Sequence, residues 1–158
     1  MTIEMISKEE IRGIGYEIPA EYVKGSEKNS AYWAEIDFSA YPPYPADLKD
    51  EGELATWKHP ADEKVKLAYY FGCISDAAEV PEGFTEFTIT AGDYAVITAS
   101  DAVGRETKDE TVAKVRAASK EFFESWLPDS DYHYDLTKGM IFELYQDDKA
   151  YIYVPVAK

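Results

Sequence analysis

The sequence predicts an α+β domain in which a largely antiparallel sheet carries two helices on one face. Predicted elements follow the order β-α-β-β twice, once in residues 1–90 and once in residues 91–158, which indicates a duplicated unit. Turns join consecutive strands in each half, and this favours antiparallel pairing. The 158 residues match one domain of ordinary size. We therefore expect a single domain, 1–158, with pseudo-two-fold symmetry.

The first half opens with a strand and a short helix. Residues 9–18 combine apolar and glycine positions in the manner of a strand. Residues 26–38 begin at Ser26, a good helix N-cap, and carry Trp33 among apolar positions at helical spacing. We expect this helix to pack on one face of the sheet.

A long irregular segment follows at residues 39–64. It holds four prolines and many acids, and a loop of this length in a small domain is usually functional or mobile. Trp57 within it is predicted either to fold back as a lid or to anchor the loop. Residues 65–76 are apolar on both faces and predict a central strand, and residues 84–90 predict the next one.

The second half contains the strongest helix signal. Residues 93–100 predict a strand, and residues 106–126 predict a helix that Pro128 ends. Helical spacing assigns it one apolar stripe. The members of that stripe are Val112, Val115, Ser119, Phe122 and Trp126.

Two final strands, 140–146 and 150–156, form a predicted hairpin around a loop at 147–149. Strand alternation separates aliphatic from polar and aromatic positions. The aliphatic set, Phe142 and Leu144 with Ile152 and Val154, is predicted to pack under the helices. This leaves Glu143 on the opposite face, among Tyr145, Tyr151 and Tyr153.

A carboxylate among aromatic rings is suited to an organic cation. The charge attracts the cation, and each ring face adds a cation–π contact of about 0.5–2 kcal/mol. Burial would raise the pKa of Glu143, which would equally suit a general acid or base. A third interpretation is a solvated glutamate beside tyrosines that belong only to the strand.

Composition narrows the classes of partner. The chain has 16 basic and 31 acidic residues, a formal net charge of −15. Such a charge repels phosphate backbones and anionic membranes and attracts cations, although solubility alone would also account for it. We therefore expect no direct nucleic acid and no membrane among the partners. The tyrosine count of 13 suits ligand walls as well as strands.

Other kinds of site have weak support. Cys73 is the only cysteine, which excludes an internal disulfide, and it is expected to be inert core. Residues 129–135 space oxygen atoms like a calcium loop but lack its glycine and its closing glutamate. His59 and His133 have no ligand spacing. We expect no metal and no cofactor and, because the N-terminus has no apolar signal segment, a cytoplasmic location.

Five segments in order resemble one known family. They are YYFGCISD at 69–76, PEGF at 81–84, ITAGDYAVITA at 89–99, ESWLPDSDY at 124–132 and FELYQDDKAYIYVPV at 142–156. Together they are similar to the GyrI-like effector-binding family, which includes the ligand-binding domains of AraC-type and MerR-type multidrug regulators. The resemblance covers residues 65–156 well and residues 1–64 only in outline.

The resemblance implies a ligand cleft between the two halves, with Glu143 inside it. It implies lipophilic cations and planar aromatic drugs as ligands. Plausible walls are Trp33, Tyr70, Trp126 and Tyr153. Tyr69 and Tyr70 point to opposite faces, and the pattern does not decide which of them lines the cleft. Regulator members carry a DNA-binding domain, so we expect this chain to be a stand-alone member.

Three hypotheses for function follow. The first is a module that binds, sequesters or senses a hydrophobic or cationic small molecule around Glu143. The second is a hydrolase, since similar stand-alone members open cyclopropane-bearing electrophiles with a pocket acid, here Glu143. The third is an inhibitor that contacts a DNA-handling protein partner through its acidic surface.

Overall fold

The computed structural model of the chain describes residues 1–20, 53–58, 67–75, 78–135, 137 and 141–158. Side chains are described for all of these except residues 17–20, 53–58 and 67–71. The predicted helix at 26–38, with Trp33, lies outside the described residues, as does most of the segment at 39–64. None of the helices in the described part has both the length and the apolar character needed to cross a membrane.

Nine strands lie in the described ranges, and all of their pairings are antiparallel. They are β1 (Thr2–Lys8), β2 (Ile11–Ala20), β3 (Glu53–Lys58), β4 (Leu67–Ile74), β5 (Thr85–Ile89), β6 (Gly92–Ser100), β7 (His133–Tyr134), β8 (Phe142–Gln146) and β9 (Lys149–Ala157). Together with the main helix described below, they confirm the predicted α+β class.

The strand order is symmetric about its centre. The sheet runs β1-β6-β9-β8-β3-β4-β2-β5, with β7 added beside β9. Read from either end, β1 corresponds to β5, β6 to β2, β9 to β4 and β8 to β3. The centre of this arrangement is the β3–β8 pair, where Ala55 lies opposite Glu143. A pseudo-two-fold relation between the halves follows from this order, and it places Glu143 beside the axis.

Strand β3 corrects the interpretation of 39–64 as wholly irregular. Residues Glu53–Lys58 form a six-residue strand that pairs with both β4 and β8. Trp57 therefore lies on a strand and not on a loop that could act as a lid. The prolines that suggested a loop all fall outside these six residues. Strand β1 was also missed, because Thr2–Lys8 alternates only weakly and two of its seven residues are charged.

The sheet bends strongly enough to bring its ends together. Strand β5 lies at one end and β6 lies next to the other end, yet only Thr90 and Ala91 connect them. A two-residue link allows at most about 11 Å between the Cα atoms of Ile89 and Gly92, so the two ends of the sheet must lie close in space. Apolar side chains fill the concave side that this bend creates.

The main helix runs over Lys108–Glu121 and continues through a π-helical turn, Phe122–Trp126, to a last α turn at Leu127–Asp129. Thr107 caps its start, because its side chain accepts a hydrogen bond from the Glu110 amide at 3.2 Å. The helix thus passes the predicted stop at Pro128. The wider π turn just before Pro128 makes room for a ring that would clash with the preceding helical carbonyls.

The buried face of the main helix keeps the predicted Val115 and Phe122 but differs from the prediction at its edges. Thr111 and Ala118 are buried, whereas Val112 remains 39% exposed. The Thr111 hydroxyl donates to the Glu106 carboxylate at 2.9 Å, and this hydrogen bond turns Thr111 inward. A polar contact at the start of the helix therefore buries Thr111, which the apolar pattern alone could not predict.

Two apolar clusters lie on the two sides of the sheet. The helix-side core joins the main helix to strands β6 and β9, and the opposite core lies on the concave side. The helix-side core contains Ala95, Ile97, Val115, Ala118, Phe122, Ile141, Ala150, Ile152, Val154 and Val156. The opposite core contains Ile11, Phe87, Ile89, Tyr94, Val96, Phe142, Leu144 and Tyr153. Residues from β2 and β5 meet residues from β8 and β9 in the opposite core, as the bend requires.

Candidate functional site

The register of the β8–β9 hairpin decides which side chains share a face with Glu143. The turn has two residues, Asp147 and Asp148, with φ angles of 53° and 64°. These left-handed conformations are those of a type I′ turn, in which the flanking residues Gln146 and Lys149 pair directly. Glu143 consequently lies opposite Ile152.

This register corrects the predicted grouping. Tyr151 and Tyr153 lie opposite Leu144 and Phe142, on the concave face, and do not share the face of Glu143. A three-residue loop at 147–149 would have paired even-numbered with even-numbered residues, as predicted. The two-residue turn shifts the pairing by one residue and exchanges the faces.

Glu143 lies on the helix side of the sheet, held between two strands. Its neighbours across the ladder are Ile152 of β9, a member of the helix-side core, and Ala55 of β3. Its side chain is partly exposed. Burial nevertheless raises the pKa of its carboxyl group, so the group lies largely among protein atoms.

Tyr145 is the hydrogen-bond partner of Glu143. Its hydroxyl donates to Glu143 Oε2 at 3.0 Å, because both residues lie on the same face of β8 two positions apart. The Tyr145 ring packs against the helix-side core. Sequence alternation had grouped these two residues correctly.

Two opposing influences act on the pKa of Glu143. Desolvation by burial raises it above the ordinary glutamate value, and the hydrogen bond from Tyr145 lowers it. Desolvation is the larger of the two, so the pKa is raised overall. In the described part of the chain, no cationic side chain forms an ion pair with this carboxylate.

Trp126 lies on the same side of the sheet as Glu143. It packs against the helix-side core and stacks on Phe122 with ring centroids 5.1 Å apart and on Tyr132 with centroids 6.3 Å apart. The Lys158 ammonium lies 5.3 Å from the Tyr132 ring centroid, at the end of this stack. Trp126 therefore has a packing role whether or not a ligand also contacts it.

Tyr153 belongs to an aromatic group on the concave side. It stacks on Phe142 with centroids 4.3 Å apart, and Lys8 Nζ lies 5.8 Å from its ring centroid. Tyr151 approaches it edge-on at 6.4 Å. Burial raises the pKa of the Tyr153 phenol. These contacts describe a core with a polar rim, on the far side of the sheet from Glu143.

Backbone register also positions the remaining predicted residues. Tyr70 pairs with Thr56, which pairs with Phe142, so Tyr70 occupies the cross-strand row of Phe142. The row of Glu143 runs instead through Ala55 to Phe71 and then to Tyr16. The side chain of Tyr70 lies outside the described ones, as does all of Trp33.

Phe71 and Tyr16 share the cross-strand row of Glu143, and sequence reasoning did not associate either of them with it. At about 4.8 Å per strand spacing, Phe71 is about 10 Å and Tyr16 about 14 Å from Glu143 along the row. Tyr16 is buried and its ring contacts Phe84 at 5.2 Å between centroids. The row becomes visible only when the β3–β8, β3–β4 and β2–β4 registers are combined, and no local sequence signal reveals it.

The described residues contain no group of three or more His, Cys, Asp or Glu side chains arranged to hold a metal ion. The arrangement around Glu143 supplies instead a desolvated carboxylate, a phenol in contact with it and apolar surroundings. Such a set can neutralise a bound cation. It can also exchange a proton with a bound molecule, since burial raises the pKa of the carboxyl group and makes the carboxylate a better proton acceptor.

Comparison with known proteins gives one family. Residues 2–156 match the family Cass2, described as integron-associated effector binding protein. No protein of curated function matches the sequence.

Solved structures with the same fold cover nearly the whole chain. A candidate bacterial transcription regulation protein from Staphylococcus aureus MU50 has a TM-score of 0.62 at 16% identity over 100% of this chain and 99% of its own. An integron cassette protein from the Vibrio cholerae mobile metagenome has a TM-score of 0.61 at 11% identity, over 98% and 95%. The structure of SAV2435 bound to tetraphenylphosphonium has a TM-score of 0.62 at 16% identity, over 99% and 94%.

Proposed function

The chain belongs to the integron-associated effector binding protein family and has the GyrI-like fold that its sequence resembles, and on this premise we propose that it binds a lipophilic organic cation with Glu143 as the counter-charge. The family supports small-molecule binding in general. The cation and the role of Glu143 are our proposal.

One observation carries the proposal: Glu143 is a desolvated carboxylate without a cationic partner among the described residues. A buried charge costs several kcal/mol unless it is paired, so a site that keeps one has a use for it. A cation that enters the site would supply the missing partner. The net charge of −15 would attract such a ligand from a distance.

The tetraphenylphosphonium bound by SAV2435 supports the choice of ligand class. That ion joins a single positive charge to four apolar rings, and the Glu143 site joins a carboxylate to an apolar core. The proposal concerns this class and no particular natural compound.

Isothermal titration calorimetry with tetraphenylphosphonium tests the proposal. In Glu143→Gln we expect the affinity to fall by about 1.5–3 kcal/mol, or about 10- to 150-fold. The variant loses the Coulombic attraction between carboxylate and phosphonium, which is on the order of 3 kcal/mol at about 5 Å and an effective dielectric constant of about 20. Glu121→Gln is the matched control, since it removes the same charge from an exposed position on the main helix. Equal affinity of Glu143→Gln and the wild type would reject Glu143 as counter-charge.

Hydrolysis is a second candidate, favoured by the contact between Tyr145 and the Glu143 carboxylate. A carboxyl group of raised pKa beside a phenol can act as an acid or base toward a bound electrophile. Mass spectrometry of ligands after incubation with the protein separates the two functions. Recovery of unchanged ligand supports binding alone, whereas a product that is absent with Glu143→Gln supports hydrolysis.

A further inference from the structure

The two oxygen atoms of the Glu143 carboxylate are not equivalent. Oε2 accepts the hydrogen bond from the Tyr145 hydroxyl at 3.0 Å. No other described residue donates to this carboxylate. Oε1 therefore has unused acceptor capacity, in a carboxyl group that is already largely removed from water.

Charge neutralisation alone does not satisfy such an oxygen atom. An ionised carboxylate offers about four lone-pair positions, and a desolvated acceptor that lacks a donor carries a free-energy cost even when a cation lies nearby. A permanently charged cation with only carbon around its centre supplies charge but no donor. A protonated amine supplies both, through a short charge-assisted hydrogen bond.

Resting on the proposed function, we propose that the site selects cations that carry an N–H donor, such as protonated lipophilic amines, over quaternary cations of the same shape. The selecting atom is Glu143 Oε1. Tyr145 holds the carboxylate in place through Oε2 and leaves Oε1 directed to the ligand. Sites built to hydrogen-bond a ligand discriminate strongly against analogues that lack the matching group.

A matched pair of ligands tests this selection. The tertiary amine N,N-dimethyl(diphenylmethyl)amine is protonated at neutral pH and has one N–H, and its N-methylated quaternary salt has the same rings and charge without it. Calorimetry with the wild type should show the amine binding about tenfold more tightly or better. In Glu143→Met, which removes both acceptor oxygens but keeps the length of the side chain, the two affinities should become equal.

The Tyr145 hydroxyl oxygen is the competing acceptor for an N–H group, so Tyr145→Phe is the second variant. The preference for the amine should persist in Tyr145→Phe, because Oε1 is unaffected and Oε2 becomes a further acceptor. Loss of the preference in this variant would assign the selection to Tyr145 and overturn the assignment to Glu143.

Two other outcomes separate this inference from the proposed function. Equal wild-type affinities for amine and quaternary salt, both reduced in Glu143→Gln, would overturn the selection and keep Glu143 as counter-charge. Absence of binding by either cation would overturn the proposed function itself. A preference that survives in Glu143→Met would show that another acceptor makes the selection.

Discussion

At the scale of single residues, two opposing effects act on the ionisation of Glu143. Burial favours the neutral acid, the Tyr145 hydroxyl favours the carboxylate, and burial has the larger effect on the pKa. The free protein therefore holds this side chain at a cost, which a bound cation would offset by stabilising the charged form. Binding sites commonly sacrifice stability in this way.

That cost predicts a specific dependence of stability on pH. Because the Glu143 pKa is higher in the folded protein than in the unfolded chain, the folded state binds more protons between the two values. The contribution of Glu143 to the free energy of unfolding therefore falls as pH rises from the ordinary glutamate pKa through the pKa of Glu143 in the folded protein. At higher pH this contribution stays low. Glu143→Gln should remove this loss, so the variant should gain stability relative to the wild type as pH rises.

Urea unfolding of both proteins across about pH 4 to pH 8 measures the difference. Tyr145→Phe should show the opposite change, a steeper loss with rising pH, because the hydrogen bond that lowers the pKa of Glu143 is gone. A constant difference between Glu143→Gln and the wild type at every pH would contradict the raised pKa.

Residue-level sequence patterns predicted part of this site. Alternation along β8 correctly grouped Glu143 with Tyr145 and separated both from Phe142. It could not give the pairing register between β8 and β9, because that register depends on whether the turn has two or three residues. For that reason the prediction that Glu143 and Tyr145 share a face with Tyr151 and Tyr153, away from the helices, is wrong. Phe142 and Leu144, predicted under the helices, lie on the concave side instead. The predicted ligand-binding roles of Trp33, Tyr70 and Trp126 stay predictions.

At the scale of elements, the β8–β9 turn is what fixes the site. Asp147 and Asp148 both adopt left-handed backbone conformations. Asp148 also joins the turn to the short 3₁₀ helix Val103–Arg105, since its carboxylate accepts from the Gly104 amide and its carbonyl from the Val103 amide at 3.0 Å. The turn thus sets the register that brings Glu143 to the helix side.

Substitutions at Asp148 separate backbone strain from the side-chain contact. Asp148→Ala should destabilise the protein by about 1–2 kcal/mol, because alanine disfavours the left-handed conformation and loses the hydrogen bond from Gly104. Asp148→Gly loses the same hydrogen bond but relieves the strain, so it should lie within about 0.5 kcal/mol of the wild type. Thermal unfolding measures both, and equal losses would show that strain has no role.

Comparison of the other elements shows which features local sequence patterns predict and which they miss. The main helix and six of the strands were predicted close to their observed bounds. Strand β3 was missed because its six residues lie between prolines, and its partners β4 and β8 are distant in sequence. On the main helix, Val112 was predicted to be buried where Thr111 is, because the hydrogen bond from Thr111 to Glu106 turns Thr111 inward. Both errors come from long-range or polar contacts that local hydrophobicity does not record.

At the scale of the whole molecule, one sheet runs through both halves. β3 and β8 join at the pseudo-two-fold centre, β1 pairs with β6, and β5 pairs with β2. The opposite core draws residues from both ends of this sheet. The division into halves at residue 90, which remains a prediction, would cut through this shared structure.

Unfolding should therefore be a single cooperative transition. We expect tryptophan fluorescence and far-ultraviolet circular dichroism to give coincident thermal curves, because neither half can lose its core without exposing that of the other. Separate expression of residues 1–90 and 91–158 should give chains without a cooperative transition. Two resolved transitions in the intact protein would instead indicate halves that fold independently.

The measurement that tests the central claim most directly is the ionisation of Glu143 itself. The titration of its carboxyl carbon can be followed by NMR in ¹³C-labelled protein, with the signal assigned by its loss in Glu143→Gln. We predict a midpoint above the ordinary glutamate value in the free protein and a lower midpoint with saturating tetraphenylphosphonium, because a bound cation stabilises the carboxylate. A midpoint that stays unchanged while tetraphenylphosphonium binds would show that the cation lies elsewhere and that Glu143 is not its counter-charge.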